Sequence, residues 1–478
     1  MDKKTIKNYA YNLAYQVLVL IAPLVTTPYV SRVLHSDGIG DYSYTFTIAT
    51  AFSLFAALGV NSYGQREIAY RQDDLEARSK VFWELVTLRA AVSAVVLVAY
   101  IIYSMTYIEF RVYLLAQTFV VAAVMLDISW FFQGVEDFKP IAVRNAFVKL
   151  VTIGFIFLFV KDEGDVWIYC LINALSMAVG NLFFFVGLRK RVVQIPWSEL
   201  DVCRHVPGTL QFFVPILAVQ VYSQLDKILL GALANDAVQN GYYEQVRKIS
   251  NFVVTLVVSL NSVLYSRNAH LFSAGDKEGM RQSMRESFTV IWMVMLPFVV
   301  GLFLASENLV GWFFGPEYEP VALLLRVSCP LIVLMCVGNF VGLQYLSPTG
   351  LQNRMTAAYI VAAVVDVISN VILAPHLLAL GALCAAICAE FCSCGLQLWM
   401  LMRSEYRFHI LADLVPYVTG AAAMGVVLVG WQHVTPFGGA MQTVSEMGIG
   451  AFVYAIVLAV WPGTIIYKLM RAGTRMDA

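Results

Sequence analysis

The sequence predicts an all-α polytopic membrane protein of about fourteen transmembrane helices, arranged as two six-helix repeat lobes around a central cavity with two further helices at the carboxyl end. Three observations predict it. The 478 residues are 59% hydrophobic and only 13% charged, too apolar for a surface bathed in water. Apolar stretches of about 20 residues, each long enough at 1.5 Å rise to cross a hydrocarbon core of roughly 30 Å, recur along the whole chain. Lysine and arginine gather in alternate connections, as they do in chains threaded repeatedly through a bilayer.

Long apolar runs without alternation are helices, because lipid offers backbone polar groups no partner and a helix satisfies them within one segment. The first, Tyr9 to Val33, is followed by Tyr42 to Val60, Val81 to Tyr103, Val112 to Phe132, Ile141 to Val160 and Val166 to Leu188. A second set comprises Thr209 to Gly231, Tyr242 to Tyr265, Phe288 to Ala305, Val321 to Leu346, Met355 to Ala374 and Leu380 to Met402. Leu411 to Trp431 and Val444 to Met470 complete the series. The expected divisions are an N-lobe of residues 1–205, a C-lobe of residues 206–405 and an additional helix pair in 406–478. The first run is too long for a cleavable signal peptide and lacks a small-residue cleavage site, so it reads as a span. Of the 32 lysines and arginines, those in connections fall on one side except Arg32, Arg111 and Lys161. Both termini are therefore expected in the cytoplasm. The longest connections, around 61–80, 189–208 and 266–287, are polar and cytoplasmic, and none has room for a soluble catalytic domain.

The eight cysteines fall almost wholly in apolar segments, which argues against a disulfide framework. Cys384, Cys388 and Cys392 make a stripe at i, i+4, i+8 with no histidine on the same helix. Helix packing by small residues is the expectation there, rather than a metal site.

A weak internal repeat is visible. Gly40-Asp41-Tyr42-Ser43-Tyr44 echoes Gly241-Tyr242-Tyr243-Glu244-Gln245, and Ser31-Arg32-Val33-Leu34 resembles Asp226-Lys227-Ile228-Leu229. Pro23 and Pro215 lie inside the two preceding helices, and Arg144-Asn145 matches Gln352-Asn353. Six helices separate the copies, an even number, which implies parallel repeats about an axis along the membrane normal, an organisation of transporters.

Ionisable residues inside spans cost about 2.5 to 3.5 kcal/mol each on insertion scales and so mark wet cavities or partners. The cations are Arg89, Lys149, Lys227, Arg247, Lys248 and Arg326, with Arg32 at a helix end; the acids are Glu84, Asp127, Asp226, Glu244, Asp366 and Glu390. Arg89 and Glu84 are expected to snorkel at a cytoplasmic helix end. Trp130, Phe131 and Phe132 read as an interfacial aromatic belt beside Asp127. Asp226 and Lys227 read either as a mutually neutral pair or as part of a site. Lys149 is too deep in its helix to reach the interface and is the leading candidate for a cation facing a substrate. Asp366 and Glu390 read either as ion-coupling carboxyls or as interhelical hydrogen-bond partners. Pro23 and Pro28 should bend the first helix, with Thr26, Thr27 and Ser31 satisfying the freed groups and showing hydroxyls to water. Arg32 and Lys227, at matching heights in the two halves, would cradle an anion.

The run YNLAYQVLVLIAPLVTTPYVSRVL, then GIGDYSY, LGVNSYGQREIA, DISWFFQGVEDFK with RN downstream, and QLDKILLGAL with GYYEQVRKIS, resembles the polysaccharide flippases of the multidrug/oligosaccharidyl-lipid/polysaccharide exporter superfamily. The match is to its Wzx or RfbX type, over roughly residues 5–285. The resemblance implies two lobes of the multidrug-exporter kind, alternating access in the bacterial inner membrane, and an undecaprenyl-pyrophosphate-linked oligosaccharide as cargo. No catalytic residue, metal, cofactor or nucleic acid is expected, polymerase and chain-length proteins of the same pathway are candidate partners, and energy would come from an H+ or Na+ gradient or from downstream consumption of the product. Members often have twelve spans, so the last two helices are the part least covered. Arg32, Lys149, Lys227, Arg247, Lys248 and Arg326 suit a pyrophosphate and its sugars, and Pro23, Thr26, Thr27, Pro28 and Pro215 line or bend the cavity walls. No Gly-Lys dipeptide occurs, hence no phosphate-binding loop for ATP. A drug or cation antiporter of the same superfamily would want a more acidic cavity, and a membrane polymerase a larger outer loop.

Overall fold

In a computed structural model of the chain, residues 3–186, 188, 191–234, 236–408, 412–462 and 464 are described. Among them every regular element is a helix and there are no strands, which bears out the all-α polytopic reading. The polypeptide divides into two compact units, Met1–Gly241 and Tyr242–Ala478.

In the first unit, α1 (Lys3–Ala57) holds the first two predicted spans in one run, broken at His35 where φ is 55°. Leu58 and Gly59, both at positive φ, turn the chain into α2 (Val60–Tyr70). Gly59 needs its freedom twice over, because a Cβ there would also strike the backbone of Thr209 and Phe213. Asp74 caps α3 (Leu75–Thr106) by accepting from the amides of Glu76 and Ala77. The fourth span is three pieces, α4 (Arg111–Ala116), α5 (Thr118–Leu126) and α6 (Ser129–Gly134). Then follow α7 (Lys139–Phe159), α8 (Val166–Leu182) and α9 (Val206–Ala234).

The α5–α6 break corrects the aromatic-belt expectation. Asp127 leaves the helix with ψ of 109° and its carboxylate accepts the Ser129 amide at 2.9 Å, so α6 folds inward. Trp130, Phe131 and Phe132 are all buried in a core with Val60, Ile68 and Phe82. Two glycines make this possible: a Cβ on Gly64 would meet the Trp130 ring, and one on Gly134 would meet Ile68. These rings are core residues; they do not face the interface.

The repeat in the sequence reappears as a reciprocal backbone contact within the first unit. A Cβ on Gly40 would strike the carbonyl of Ala237, and one on Gly241 would strike the carbonyl of Ser36. Ser36 and Gly40 thus stand to Ala237 and Gly241 as the latter stand to the former, in the register that the sequence repeat predicts.

The second unit takes in most of α10 (Ala237–Ser273), then α11 (Lys277–Phe313), α12 (Glu319–Val341), α13 (Gln352–Met402), α14 (Val415–Val434) and α15 (Gly439–Val460). At 37 residues each, α10 and α11 run about 55 Å, well beyond a hydrocarbon core. The expected polar loop 266–287 is therefore mostly helix, turned at Gly275 (φ 72°). Arg285 there makes a bidentate pair with Asp413. A π-turn (Gly342–Leu346) ends α12. α13 contains two predicted spans and breaks at Leu378 (φ 54°), its arms folding back so closely that a Cβ on Gly381 would strike the backbone of Leu373. With α9 and α10, the apolar helices account for every predicted span among the described residues; the far end of the last, toward Met470, lies outside them.

Helix faces are sorted as lipid requires. Val95, Val98 and Ile102 of α3 and Met441, Val444 and Phe452 of α15 are exposed, whereas Ala382, Ala385, Ala386, Ala389 and Ser393 of α13 are buried. Small residues at helix contacts let backbones approach. The cysteine stripe does not share that contact: Cys388 is exposed and Cys384 and Cys392 are half-buried. Alanines, being smaller, take the packed face. No group of three or more metal-type ligands occurs among the described residues.

Candidate functional site

In the first unit the leading candidate, Lys149, lies on α7. Ala142, Thr152 and Ile156 are buried and Asn145 and Lys149 half-buried, whereas Phe147, Leu150, Phe155 and Leu158 are exposed. The spacing 142, 145, 149, 152, 156 traces one helix face, so Lys149 lies on the inward stripe and not toward lipid. The Thr152 hydroxyl is turned to its own helix, donating to the Val148 carbonyl. Lys149 has no hydrogen bond or ion pair among the described residues. A cation there without a carboxylate is costly unless something else supplies negative charge.

α1 runs beside this stripe. The Tyr29 hydroxyl donates to the Val160 carbonyl at 2.7 Å and its ring packs on Phe157. Lys149 sits eight residues before Phe157, about 12 Å along the axis. Thr26 is half-buried and donates to the Ala22 carbonyl at 3.0 Å. That carbonyl is not one freed by Pro23 or Pro28, so the expected repair of the helix by Thr26 is not made. Thr27 is buried rather than water-facing, Pro23 and Pro28 are half-buried, and Pro215 on α9 is exposed. Arg32 is exposed at the end of the first arm of α1, and Lys227 and Arg247 are half-buried; all three are engaged by other groups. Lys248 pairs with Glu244 one turn away at 3.7 Å. Arg326 pairs with Glu307 at 2.9 Å and donates to the Phe303 carbonyl. Of the six candidate cations, only Lys149 stands without such an engagement among the described residues.

In the second unit both candidate acids are interior. Asp366 accepts from the Asn370 amide at 3.2 Å, one turn along the first arm of α13. Glu390 lies on the second arm with Ser393 and Gln397, which share a 3.1 Å hydrogen bond. Gly338 and Gly342 leave room for them: a Cβ would come within 3.2 Å of Glu390 Oε1 and 3.3 Å of Gln397 Oε1 respectively. Asn268 of α10 donates to Gln344 in the π-turn at 2.7 Å. Carboxyls and amides thus form a buried polar interior along α13. By contrast, a groove of about 580 Å³ bordered by Val300, Phe303, Cys329 and Val426 is apolar and offers nothing to orient a sugar.

Sequence reasoning missed a second network. Glu84, expected to snorkel, has no exposed surface. It accepts from the Asp201 amide (2.9 Å) and Arg204 (2.5 Å) and meets His205 Nε2 at 2.9 Å, while His205 Nδ1 meets the Tyr63 hydroxyl at 2.9 Å. Arg89 is likewise buried, donating to Asn61 at 2.7 Å and pairing with Asp127 at 3.4 Å. Glu84 and Tyr63 thus clamp the 197–205 connection onto α3 and α2, and Arg89 ties α3 to Asn61 and to the α5–α6 break at Asp127. Arg144 of the Arg-Asn pair does similar work, reaching Asn181 of α8 at 2.7 Å and lying over the Phe184 ring. The chain offers no local pattern that pairs position 84 with position 205, so no sequence signal announced the clamp.

The fold and this charged interior define a polytopic membrane protein of the transporter kind. The model of the polysaccharide biosynthesis protein family matches residues 5–267, and the chain belongs to that family. It is 21% identical over 367 residues to the "Putative O-antigen transporter" of Escherichia coli (strain K12), covering 76% of this chain and 88% of that protein. It is 20% identical over 258 residues to the "Probable low-salt glycan biosynthesis flippase Agl15" of Haloferax volcanii, covering 52% and 51%. Among solved structures, "Lipid II flippase MurJ, inward closed conformation" shares the fold with a TM-score of 0.75 at 14% identity, over 95% of this chain and 98% of that one. An inward-facing multidrug resistance MATE family transporter of the MOP superfamily follows at 0.63 and 15% identity, over 81% and 94%.

Proposed function

We propose that the chain is a flippase that carries polyprenyl-pyrophosphate-linked oligosaccharide repeat units from the cytoplasmic to the outer leaflet, by alternating access, for surface polysaccharide synthesis. Lys149 is the observation that carries this reading. It is a cation on an inward helix face with no anionic partner among the described residues, and a diphosphate would supply the missing charge. Asn145, one turn away on the same stripe, is suited to a sugar hydroxyl. Membership of the polysaccharide biosynthesis family supports the cargo class, as do the names of the relatives. The reading is of transport rather than catalysis. It places the chain in the bacterial inner membrane, both termini cytoplasmic on the lysine and arginine bias, beside the polymerase and chain-length proteins of one pathway.

Arg32, Lys227, Arg247, Lys248 and Arg326 remain proposals for secondary contacts. Lys248 and Arg326 would have to leave Glu244 and Glu307 to serve. Asp366 and Glu390 are proposed to couple transport to H+ or Na+. The experiment is translocation in proteoliposomes, with undecaprenyl-pyrophosphate oligosaccharide set against a small lipophilic cation. Movement of the lipid-linked sugar is expected; movement of the cation alone would reassign the cavity to drug efflux.

A further inference from the structure

The last two helices lie outside both repeats, yet they hold a buried carboxyl group. Glu446 is the only charged residue in α15 and sits seven residues from its start, about 10 Å along the axis. Its side chain is 3% exposed. Oε1 accepts from the amides of Gln432 (3.1 Å) on α14 and Gln442 (3.0 Å) one turn earlier on α15. Gln432 also reaches the Leu304 carbonyl of α11 at 3.2 Å. The other oxygen, Oε2, is buried with no hydrogen-bond partner among the described residues.

Among the described residues no cation answers this charge. α14 and α15 contain no lysine or arginine, and His433 beside Gln432 is exposed. On α11, Lys277, Arg281 and Arg285 lie nineteen or more residues before Leu304, about 30 Å away along the helix. Glu307 faces Arg326 of α12 in an ion pair of its own. Tyr454, one helix face along, is neutral and its hydroxyl is likewise without a partner among the described residues. A carboxylate removed from water with only neutral donors is strongly disfavoured, so the charge calls for a cation from outside.

The surrounding atoms suit one. Glutamine amides can turn over about their last bond, exchanging NH2 for oxygen. With both turned, Gln432 and Gln442 oxygens, Glu446 Oε1 and the Leu304 carbonyl would stand at neighbouring separations of 3.0 to 3.2 Å. That is close to the oxygen spacing around an ion with metal–oxygen distances of about 2.3 to 2.4 Å, the hard-cation regime served by carboxylate and carbonyl ligands.

We propose that Glu446, with Gln432, Gln442 and the Leu304 carbonyl, forms a monovalent-cation site in the helix pair appended to the two lobes, taking sodium or a proton. The site is separate from Asp366 and Glu390, and its occupancy does not depend on what the protein transports.

The test uses the purified full chain in detergent, with thermal unfolding followed as sodium chloride replaces choline chloride at constant ionic strength, and again in choline chloride as pH is varied from 5 to 8. A ligand that binds the folded state at a hundredfold excess over Kd should raise Tm by about 2 to 3 °C in a chain of this size. A sodium-dependent rise absent in Glu446→Gln identifies sodium. A Tm that rises as pH falls in the native chain, and does so less in Glu446→Gln, identifies a proton. The double variant Asp366→Asn with Glu390→Gln should keep either response. If Glu446→Gln does not fold, radioactive sodium binding to the native chain and to Gln432→Leu replaces it, together with the proton count on acidification. Identical sodium and pH responses in native and substituted chains would overturn the proposal.

Discussion

Replacing Lys149 by methionine separates a transport role from a structural one. The ammonium lies ten residues into α7, about 15 Å along a helix that must cross roughly 30 Å of hydrocarbon, so it stands near the middle of the span. A charge at that depth costs about 2.5 to 3.5 kcal/mol on insertion scales. Because Lys149 is half-buried rather than enclosed, the recoverable amount is smaller, about 1 to 2 kcal/mol. No carboxylate is orphaned by the change, since none pairs with Lys149 among the described residues. Lys149→Met should therefore unfold at the same temperature as the native chain or higher, while translocation of pyrophosphate-linked oligosaccharide falls by tenfold or more. Lys149→Arg should keep part of the transport. The assay is flipping in proteoliposomes normalised to reconstituted protein, beside thermal unfolding of the same preparations. A destabilised Lys149→Met protein that still transports at the native rate would refute the reasoning, because the lysine would then be holding the fold and not the cargo.

Three other outcomes are expected. Glu84→Ala strands His205 and the Asp201 amide in a buried setting and should cost about 3 kcal/mol, with little added for Arg204, which is 41% exposed; a melting curve like that of the native chain would mean the clamp is ornamental. Gly40→Ala and Gly241→Ala each push a methyl into a facing carbonyl and should each cost about 1 to 3 kcal/mol, whereas Gly154→Ala, open on all sides inside α7, should stabilise by about 0.5 to 1 kcal/mol; equal behaviour of the three would remove the reciprocal contact as a tight crossing. Asp366→Asn and Glu390→Gln preserve shape and should flatten the pH or sodium dependence of transport, and transport with an unchanged dependence in both would end their role in coupling.

The spans were legible because lipid is a uniform solvent: a run such as Ile141 to Val160 must be helical wherever it packs. Lys149 was legible for the same reason, as depth alone makes a cation expensive, and the α7 stripe then showed which way it faces. The repeat could be read from Gly40 and Gly241, though not that the two glycines meet. What the chain could not announce depends on where it turns. Trp130 to Phe132 read as a belt because the inward turn at Asp127 hangs on one side-chain hydrogen bond from Ser129, on the distant Gly64 that admits the Trp130 ring, and on Gly134 that lets α6 approach Ile68. Glu84 and Arg89 read as snorkelling because their partners, His205 and Asp127, lie far along the sequence. Composition and periodicity thus determined by themselves that this is a helical membrane protein with charge in its interior, since those follow from solvent preference residue by residue. Which charges are paired within the protein was decided only by tertiary structure, because a charge pair is a property of two segments and the distance between them.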